Sequence, residues 1–125
     1  MYLRHFCTRG ENMELQYNEL DRIRVIKVTG NLDILGVGEI ETKFAGYCAG
    51  DDARVLVDLS EVDYMASIGI RLLTINAKSL ASRRGRMALL KPNANVKNVL
   101  EMTGIPSIIP MYDSFESAEA VLLGS

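Results

Sequence analysis

The sequence is poor in the residues on which metal sites, disulfide frameworks and histidine-based catalysis depend. It contains one histidine, His5, and two cysteines, Cys7 and Cys48, which lie far apart. This set matches no metal-ligand spacing and cannot build a disulfide framework. No apolar run approaches the ~20 residues that span a bilayer, and the N-terminus lacks the apolar region of a signal peptide. We therefore expect a soluble, cytoplasmic domain without membrane insertion, metal or cofactor.

Length and charge restrict the class of protein further. The chain has 125 residues, of which 48% are hydrophobic, so it can bury one core within one domain. Its net charge of −2 gives no electrostatic reason to expect nucleic acid as a direct partner. Basic residues cluster locally at Arg83, Arg84, Arg86 and Lys91. Because cations suit the C-terminus of a helix, we interpret this cluster as a solvated helix end rather than a phosphate or nucleic-acid patch.

The first part of the chain predicts an extension followed by two strands. Residues 1–12 show no clean period, and we interpret them as an N-terminal tail. Residues 13–18 alternate between apolar and polar side chains, which is typical of a strand with one dry face at a sheet edge. Residues 23–28 predict a second strand, antiparallel to the first because the connection is short.

The rest of the chain alternates between helical and strand patterns. Apolar spacing, short buried runs and capping residues predict, in order, a helix over 37–48, a strand at 55–57, a helix over 67–82, a strand at 87–90, a helix between Asn93 and Gly104, a strand at 108–109 and a helix opened by a capping box of Asp113 and Glu116. The order β-β-α-β-α-β-α-β-α predicts an α/β domain over residues 13–123. We expect a mixed sheet of four to five strands and about four helices.

Residues 58–69 are the most informative stretch, since they lead from a buried strand through a short loop to a serine at a helix start. In an α/β domain this is the carboxyl edge of the sheet, where sites collect. A helix N-terminus has unpaired N–H groups and a partial positive charge. The Ser67 hydroxyl is therefore either a plain cap for the N–H of Gly69 or Ile70, or a phosphorylation site. Arg71, one turn along the same face, could pair with a phosphate there.

Three isoleucines near this serine lie off the core stripe of its helix: Ile68, Ile70 and Ile75. Burial under neighbouring elements is one explanation for them. The other is that they are exposed and belong to a surface that binds another protein.

An enzyme has weak support in this sequence. Residues 67–69 resemble half of a G-x-S-x-G nucleophile elbow, but position 65 is Met and the only histidine, His5, lies in the predicted tail. Three acidic residues lie close together: Asp58, Glu61 and Asp63. We interpret them as a polar loop at the mouth of the sheet rather than a metal or acid/base site.

Three separate segments carry motifs that occur together in one protein family. Residues 28–33, Val-Thr-Gly-Asn-Leu-Asp, resemble a G-x-L-D segment that follows the second strand. Residues 55–62 with 65–69 resemble a D-L-S-x-V…D-S-[ST]-G signature, and residues 96–105 resemble a V-x-x-x-L-x-x-[ST]-G-[IL] helix. The order of these motifs, and the order of the helices and strands between them, resembles that of a STAS domain of the bacterial anti-sigma factor antagonists. The resemblance covers about residues 13–123.

The resemblance implies the STAS fold and regulation by partner switching. In that family the anti-sigma factor is a serine kinase, a histidine-kinase-like ATPase, which phosphorylates the serine after the signature aspartate. The unphosphorylated antagonist binds this kinase and releases the sigma factor, phosphorylation breaks the complex, and a PP2C-type phosphatase restores it. By this resemblance Ser67 is the phosphorylation site. The implied partner-binding residues are Asp33, Ala66, Ser67, Ile68, Gly69, Ile70 and Arg71.

Two positions depart from the family pattern. Ala66 stands where the family usually has an aspartate, and Ile68 replaces the usual Ser or Thr. The missing carboxylate removes a negative charge beside Ser67. The alternative is therefore a STAS interaction module that is not phosphorylated, as an accessory subunit of a lipid-transport complex or of a signalling assembly.

Overall fold

The computed structural model describes residues 2–124, with side-chain surroundings described for Cys7 and from Arg9 onward. Strands and helices alternate after an opening run of three strands. The elements are β1 Tyr2–Arg9, β2 Met13–Leu20, β3 Ile23–Leu32, α1 Ile34–Tyr47, β4 Arg54–Met65, α2 Ser67–Ser82, β5 Arg86–Leu90, α3 Ala94–Met102, a 3-10 turn at Ile105–Ser107, β6 Met111–Tyr112 and α4 Phe115–Leu123.

The strands form one mixed sheet in the order β1-β2-β3-β4-β5-β6. The first three pair antiparallel, whereas β3, β4, β5 and β6 pair parallel and are joined through helices. From β2 onward the order of elements is the predicted β-β-α-β-α-β-α-β-α, and the mixed α/β class is confirmed. The sheet described over residues 2–124 has six strands, because the chain adds one strand before the predicted set.

That added strand corrects the expectation for the N-terminus. We predicted a tail over residues 1–12, but Tyr2–Arg9 pairs antiparallel with β2, so the prediction is wrong for these residues. The register shifts between Tyr2 and His5, and such an irregularity breaks the two-residue alternation that reveals a strand. The pairing also places β2 inside the sheet rather than at its edge.

The predicted polar loop after residues 55–57 is also wrong. The strand β4 continues to Met65, and Asp58, Glu61 and Asp63 belong to it. A bulge explains the irregular pattern, since Lys27 pairs with Asp58 while Thr29 already pairs with Glu61. At this bulge the Asp58 carboxylate accepts a hydrogen bond from the Ser60 N–H at 2.9 Å.

Near the C-terminus, two predictions are displaced by a few residues and two are confirmed. The last strand is Met111–Tyr112 rather than residues 108–109, and α4 is capped by Ser114, which accepts from the Ser117 N–H, not by Asp113. Ile109 is buried without being part of a strand, whereas Ile108 is 49% exposed, so only Ile109 of this apolar pair belongs to the core. The Asn93 cap and the left-handed Gly104 are as predicted.

The basic cluster includes side chains that hold the fold together, and Arg86 among them donates a hydrogen bond to the Val121 oxygen at 3.2 Å. Arg83 donates hydrogen bonds to the main-chain oxygens of Cys48 at 2.9 Å and Gly50 at 2.8 Å, at the C-terminal end of α1. Arg24 donates to the Tyr47 oxygen at 3.0 Å in the same place. Cations that bind the last carbonyls of a helix stabilise it through the helix dipole. Arg83 and Arg84 thus follow the end of α2, whereas Arg86 belongs to β5 and Lys91 follows that strand, so the interpretation as a helix end holds for two of the four residues. The helix that Arg83 supports is α1.

The core lies on both faces of the sheet, because neighbouring β4 residues point in opposite directions. Val55, Val57 and Leu59 belong to a large cluster with apolar residues of α1, α2 and α3, whereas Leu56 packs with Ala118 and Leu122 of α4. The helices α1, α2 and α3 therefore cover one face, and α4 covers the other. The start of α2 and the start of α4 therefore lie on opposite faces of the sheet.

Glu39 of α1 fastens the turn between β1 and β2. Its carboxylate accepts hydrogen bonds from the Asn12 main-chain N–H at 2.9 Å, the Asn12 side-chain amide at 2.7 Å and the Met13 N–H at 3.1 Å. These bonds, the one from the Asn12 main chain above all, hold the pKa of the Glu39 carboxyl below its ordinary value. The charged form therefore stabilises the attachment of the β1–β2 hairpin to the helix layer.

We expect Glu39→Gln to loosen this hairpin. Because the folded-state pKa is lowered, the carboxylate contributes stability above the ordinary value of about 4.5 and loses it as pH falls through the folded pKa. Amide hydrogen exchange at Asn12 and Met13 should accelerate severalfold in Glu39→Gln at neutral pH and should lose its acid dependence. Glu41→Gln, on the same helix, is the control. Equal protection in wild type and Glu39→Gln would contradict the assignment.

Candidate functional site

Two helix starts lie side by side at the carboxyl edge of β3 and β4. The parallel register pairs Leu32 with Met65, the last residues of the two strands. Asp33 and Ala66 follow directly, and each is the N-cap of a helix. The Ala66 N–H donates to the Leu32 oxygen at 3.0 Å, which ties the two connections together. The G-x-L-D segment and the serine segment are therefore neighbours in space, although the chain separates them by a helix and a strand.

The two caps differ in chemistry. The Asp33 carboxylate accepts a hydrogen bond from the Gly36 N–H at 2.9 Å and caps α1. Ala66, with φ −92 and ψ 174, has the extended backbone of an N-cap but no side-chain acceptor. Ser67 is the first residue inside the helix, so of the two roles considered for its hydroxyl the plain cap is excluded. The N–H groups of Gly69 and Ile70 instead donate to the Ala66 oxygen, at 2.9 and 3.3 Å.

This arrangement leaves the start of α2 open. Within the described residues the N–H groups of Ser67 and Ile68 have no acceptor, and the Ser67 hydroxyl makes no hydrogen bond. Ser67 is exposed. An exposed hydroxyl next to unpaired N–H groups lies where the helix dipole favours negative charge. A phosphate added to this hydroxyl would meet a favourable local field.

Exposed apolar side chains lie on both helices that begin here. Ile34 and Leu35, in the first turn of α1, are 74% and 67% exposed, and Ile75 of α2 is 52% exposed. Ile68 and Ile70 are half-buried and pack against the core. Packing against the core therefore explains part of the apolar character of Ile68 and Ile70, whereas Ile75 is a surface residue. Large apolar side chains exposed together are typical of a protein-binding surface.

A groove of about 270 Å³ runs between α1 and α2 beside Ser67. Apolar residues form most of it, and one acidic and one basic residue complete it: Val37, Ile68, Leu72 and Ile75, with Glu41 and Arg71. Sequence reasoning placed Ile68 and Arg71 at the site but missed the contributions of α1. One sequence signal could have indicated that α1 contributes to the site. The apolar pair Ile34-Leu35, which the structure shows to be exposed, directly follows the G-x-L-D segment and precedes the apolar spacing of that helix.

Two further large apolar side chains are exposed: Tyr64, near the end of β4, at 55%, and Met102, at the C-terminal end of α3, at 78%. Sequence reasoning gave neither residue a role.

In the part of the chain that the structure describes, no group of three or more His, Cys, Asp or Glu side chains could hold a metal ion. None of the helices described is long and apolar enough to cross a membrane.

Close packing explains the glycine at position 69. A Cβ atom there would lie 2.8 Å from the Leu32 Cβ and 2.9 Å from the Leu32 oxygen. Gly69 is buried, and its contact with Leu32 brings α2 down onto the end of β3. Gly38, in contrast, has open space around it.

We expect Gly69→Ala to destabilise the domain by about 1–3 kcal/mol, because the methyl group overpacks the contact with Leu32. Gly38→Ala, a matched change in an exposed helix interior, should instead stabilise it by about 0.5–1 kcal/mol. Urea unfolding of both variants checks the pair. A neutral Gly69→Ala would contradict the close approach of α2 to β3.

We expect Ala66→Asp to stabilise the domain by about 0.5–2 kcal/mol, because it supplies the missing cap of α2. Ala66→Asn should give a similar gain without adding charge, which separates capping from the dipole effect. The free energy of unfolding in urea is the measurement. No gain in either variant would show that these N–H groups are already satisfied.

The chain is similar to known proteins along most of its length. The STAS domain sequence model matches residues 14–118. BtrV of Bordetella bronchiseptica is 29% identical over 108 residues, 86% of this chain and 93% of the relative. The anti-sigma-B factor antagonist of Staphylococcus aureus is 24% identical over 105 residues, 84% of this chain and 97% of the relative.

Solved structures share the fold. An anti-sigma factor antagonist from Mycobacterium paratuberculosis superposes with a TM-score of 0.81 at 18% identity, covering 93% of this chain and 98% of that one. SpoIIAA of Bacillus matches in its unphosphorylated form with a TM-score of 0.69 at 23% identity, over 86% and 95% of the two chains. Its phosphorylated form gives 0.64 at 22% identity, over 86% and 98%. The family match spans most of the domain, and this chain belongs to the STAS domain family.

Proposed function

We propose that this protein is an anti-sigma factor antagonist that works by partner switching in the cytoplasm, with Ser67 as its phosphorylation site. The observation that carries the proposal is an exposed serine at an uncapped helix start, beside exposed apolar side chains. Several similar proteins are named anti-sigma factor antagonists, and structures of SpoIIAA are known in an unphosphorylated and a phosphorylated form.

The unphosphorylated protein binds an anti-sigma factor that is also a serine kinase of the histidine-kinase-like ATPase type. Binding occupies the kinase and releases the sigma factor. The kinase transfers the γ-phosphoryl group of ATP to the Ser67 oxygen: the serine O–H bond and the bond from the γ-phosphorus to the β–γ bridging oxygen break, a new P–O bond forms, and ADP and a proton leave. A PP2C-type phosphatase reverses the modification by hydrolysis.

The phosphate breaks the complex for two physical reasons. It adds about −1.5 to −2 charge at pH 7, which a partner seated on an apolar surface has to desolvate. It also adds bulk at the centre of that surface, where Ile34, Leu35 and Ile75 are exposed. The helix dipole favours the charge within the free protein, so phosphorylation stabilises the free protein and weakens the complex.

The proposed contact surface consists of the residues at the two helix starts. Asp33 fixes the first turn of α1, and Gly69 brings α2 close to it. Ser67, Arg71 and, in part, Ile68 and Ile70 face the partner, with Ala66 between the two connections. Because Ala66 has no carboxylate, the acceptor serine lacks a negative neighbour, and the cognate kinase has to recognise a less acidic site.

Ala66 also favours a second candidate, a STAS module that binds its partner without being phosphorylated. In such an accessory subunit the same apolar surface would serve a permanent assembly. Co-purification with a transporter ATPase, together with an unchanged mass after incubation with the sigma-pathway kinase and ATP, would favour this candidate.

We expect Ser67→Asp to weaken binding to the cognate kinase by about tenfold or more, whereas Ser67→Ala retains it. Ser117→Asp is the matched control, because Ser117 is exposed in the first turn of α4 on the opposite face of the sheet. Calorimetry with the purified kinase measures the three affinities.

Intact mass after incubation with kinase and ATP completes the test. Wild type should gain one phosphate, and Ser67→Ala should gain none. An unchanged wild-type mass together with no binding to the kinase would overturn the proposed function. Equal affinities for Ser67→Ala and Ser67→Asp would overturn the role of Ser67.

A further inference from the structure

The groove between α1 and α2 has one charged residue on each wall. Glu41 of α1 and Arg71 of α2 line it together with apolar side chains, and both are exposed. In the described part of the chain neither has a hydrogen bond or an ion pair. The two charges therefore do not neutralise each other across the groove.

Arg71 differs in this respect from the arginines that support the fold. Arg24 and Arg83 donate to main-chain oxygens at the end of α1, and Arg54 pairs with Asp52 at 2.8 Å. A guanidinium that is already held by such bonds is not free to respond to a new charge. Arg71 is free to do so, and its planar fork suits a carboxylate or a phosphate.

The geometry of α2 gives Arg71 two possible anions. Residues four apart lie one above the other on a helix, and helical side chains lean toward the N-terminus. The Arg71 side chain therefore leans toward the turn that contains Ser67. From the same position it also forms a wall of the groove. A phosphate on Ser67 and an acidic group of a partner in the groove would compete for one guanidinium.

We propose that Arg71 couples the phosphorylation state of Ser67 to the binding of a partner in the groove, an inference that rests on the proposed function. In the unphosphorylated protein the groove takes a large apolar side chain of the kinase. Arg71 pairs with an acidic residue on one side of that side chain, and Glu41 pairs with a basic residue on the other. Phosphorylation moves Arg71 onto the phosphate, so the acidic residue of the partner loses its counter-charge.

The chemistry of the partner segment follows from the groove. Its apolar walls, Val37, Leu72 and Ile75 among them, fit a branched or aromatic side chain rather than a polar one. The opposite charges on the two walls select a segment whose own charges have the reverse arrangement. A partner with two acidic flanks would meet repulsion from Glu41.

A first experiment tests the pairing without the kinase. Phosphoserine is incorporated at position 67 during synthesis of the full chain, and the phosphate is titrated by phosphorus NMR. An adjacent cation favours the dianion, so Arg71→Gln should raise the second pKa of the phosphate by about half a unit or more relative to the wild-type sequence. Lys78→Gln, which removes a cation two turns further along α2, is the control. Identical titration of Arg71→Gln and the wild-type sequence overturns the inference.

A second experiment measures the coupling to the partner. Binding of the purified kinase is compared for the phosphorylated and unphosphorylated forms of wild type, Arg71→Gln and Glu41→Gln. The unphosphorylated Arg71→Gln and Glu41→Gln proteins should each bind severalfold more weakly than wild type. In Arg71→Gln the ratio of the two dissociation constants should shrink by about tenfold, a coupling of ordinary size.

The outcomes separate this inference from the proposed function. If unphosphorylated wild type does not bind the kinase, the proposed function fails, and the titration still reports on the Arg71–phosphate pair. If wild type binds and responds to phosphate but both variants behave like wild type, the proposed function holds and the inference is overturned.

Discussion

The parallel pairing of β3 with β4 is the constraint on which the rest of the structure depends. It ends both strands at the same level, Leu32 opposite Met65, and lets the Ala66 N–H reach the Leu32 oxygen. The arrangement of the helix starts at the carboxyl edge follows from this common end point of the two strands. The two helices begin next to each other, their first turns share a surface, and the groove between them opens beside Ser67. A register shift of one residue would move the serine segment away from the G-x-L-D segment.

Local features then shape the surface at these two helix starts. Gly69 removes the side chain that would hold α2 away from β3, and Asp33 secures the first turn of α1. At the other end of α1, Arg24 and Arg83 bind the last carbonyls. The helix is thus fixed at both ends, and its exposed apolar residues are presented on a rigid support. A surface of this kind binds without a large entropic cost of ordering.

Much of the fold is predictable from the sequence because it depends on local signals. Alternation identifies β2 and β3, the polar face of α2 identifies that helix, and Asn93 and Gly104 mark the limits of α3. What the sequence conceals depends on irregular or non-local geometry. A register shift hides β1, and a bulge makes the second half of β4 look like a loop.

The sequence was sufficient to predict which segment carries the candidate site, but not the role of each residue within it. The motif located Ser67, whereas the cap proved to be Ala66, because a cap is defined by its backbone conformation and not by its side chain. The groove could not be read from one helix, since α1 supplies Val37 and Glu41 and α2 supplies the rest. Only the packing of two distant segments brings these residues together.

The position of Ser67 inside the helix, rather than at its cap, separates its side chain from the folding of the helix start. Its hydroxyl holds no part of the described structure in place, so its chemical state can change while every bond that defines the helix start remains. A serine that capped the helix would make each modification a perturbation of the scaffold. Here the main chain of Ala66 builds the helix start, and the side chain at position 67 takes no part in it.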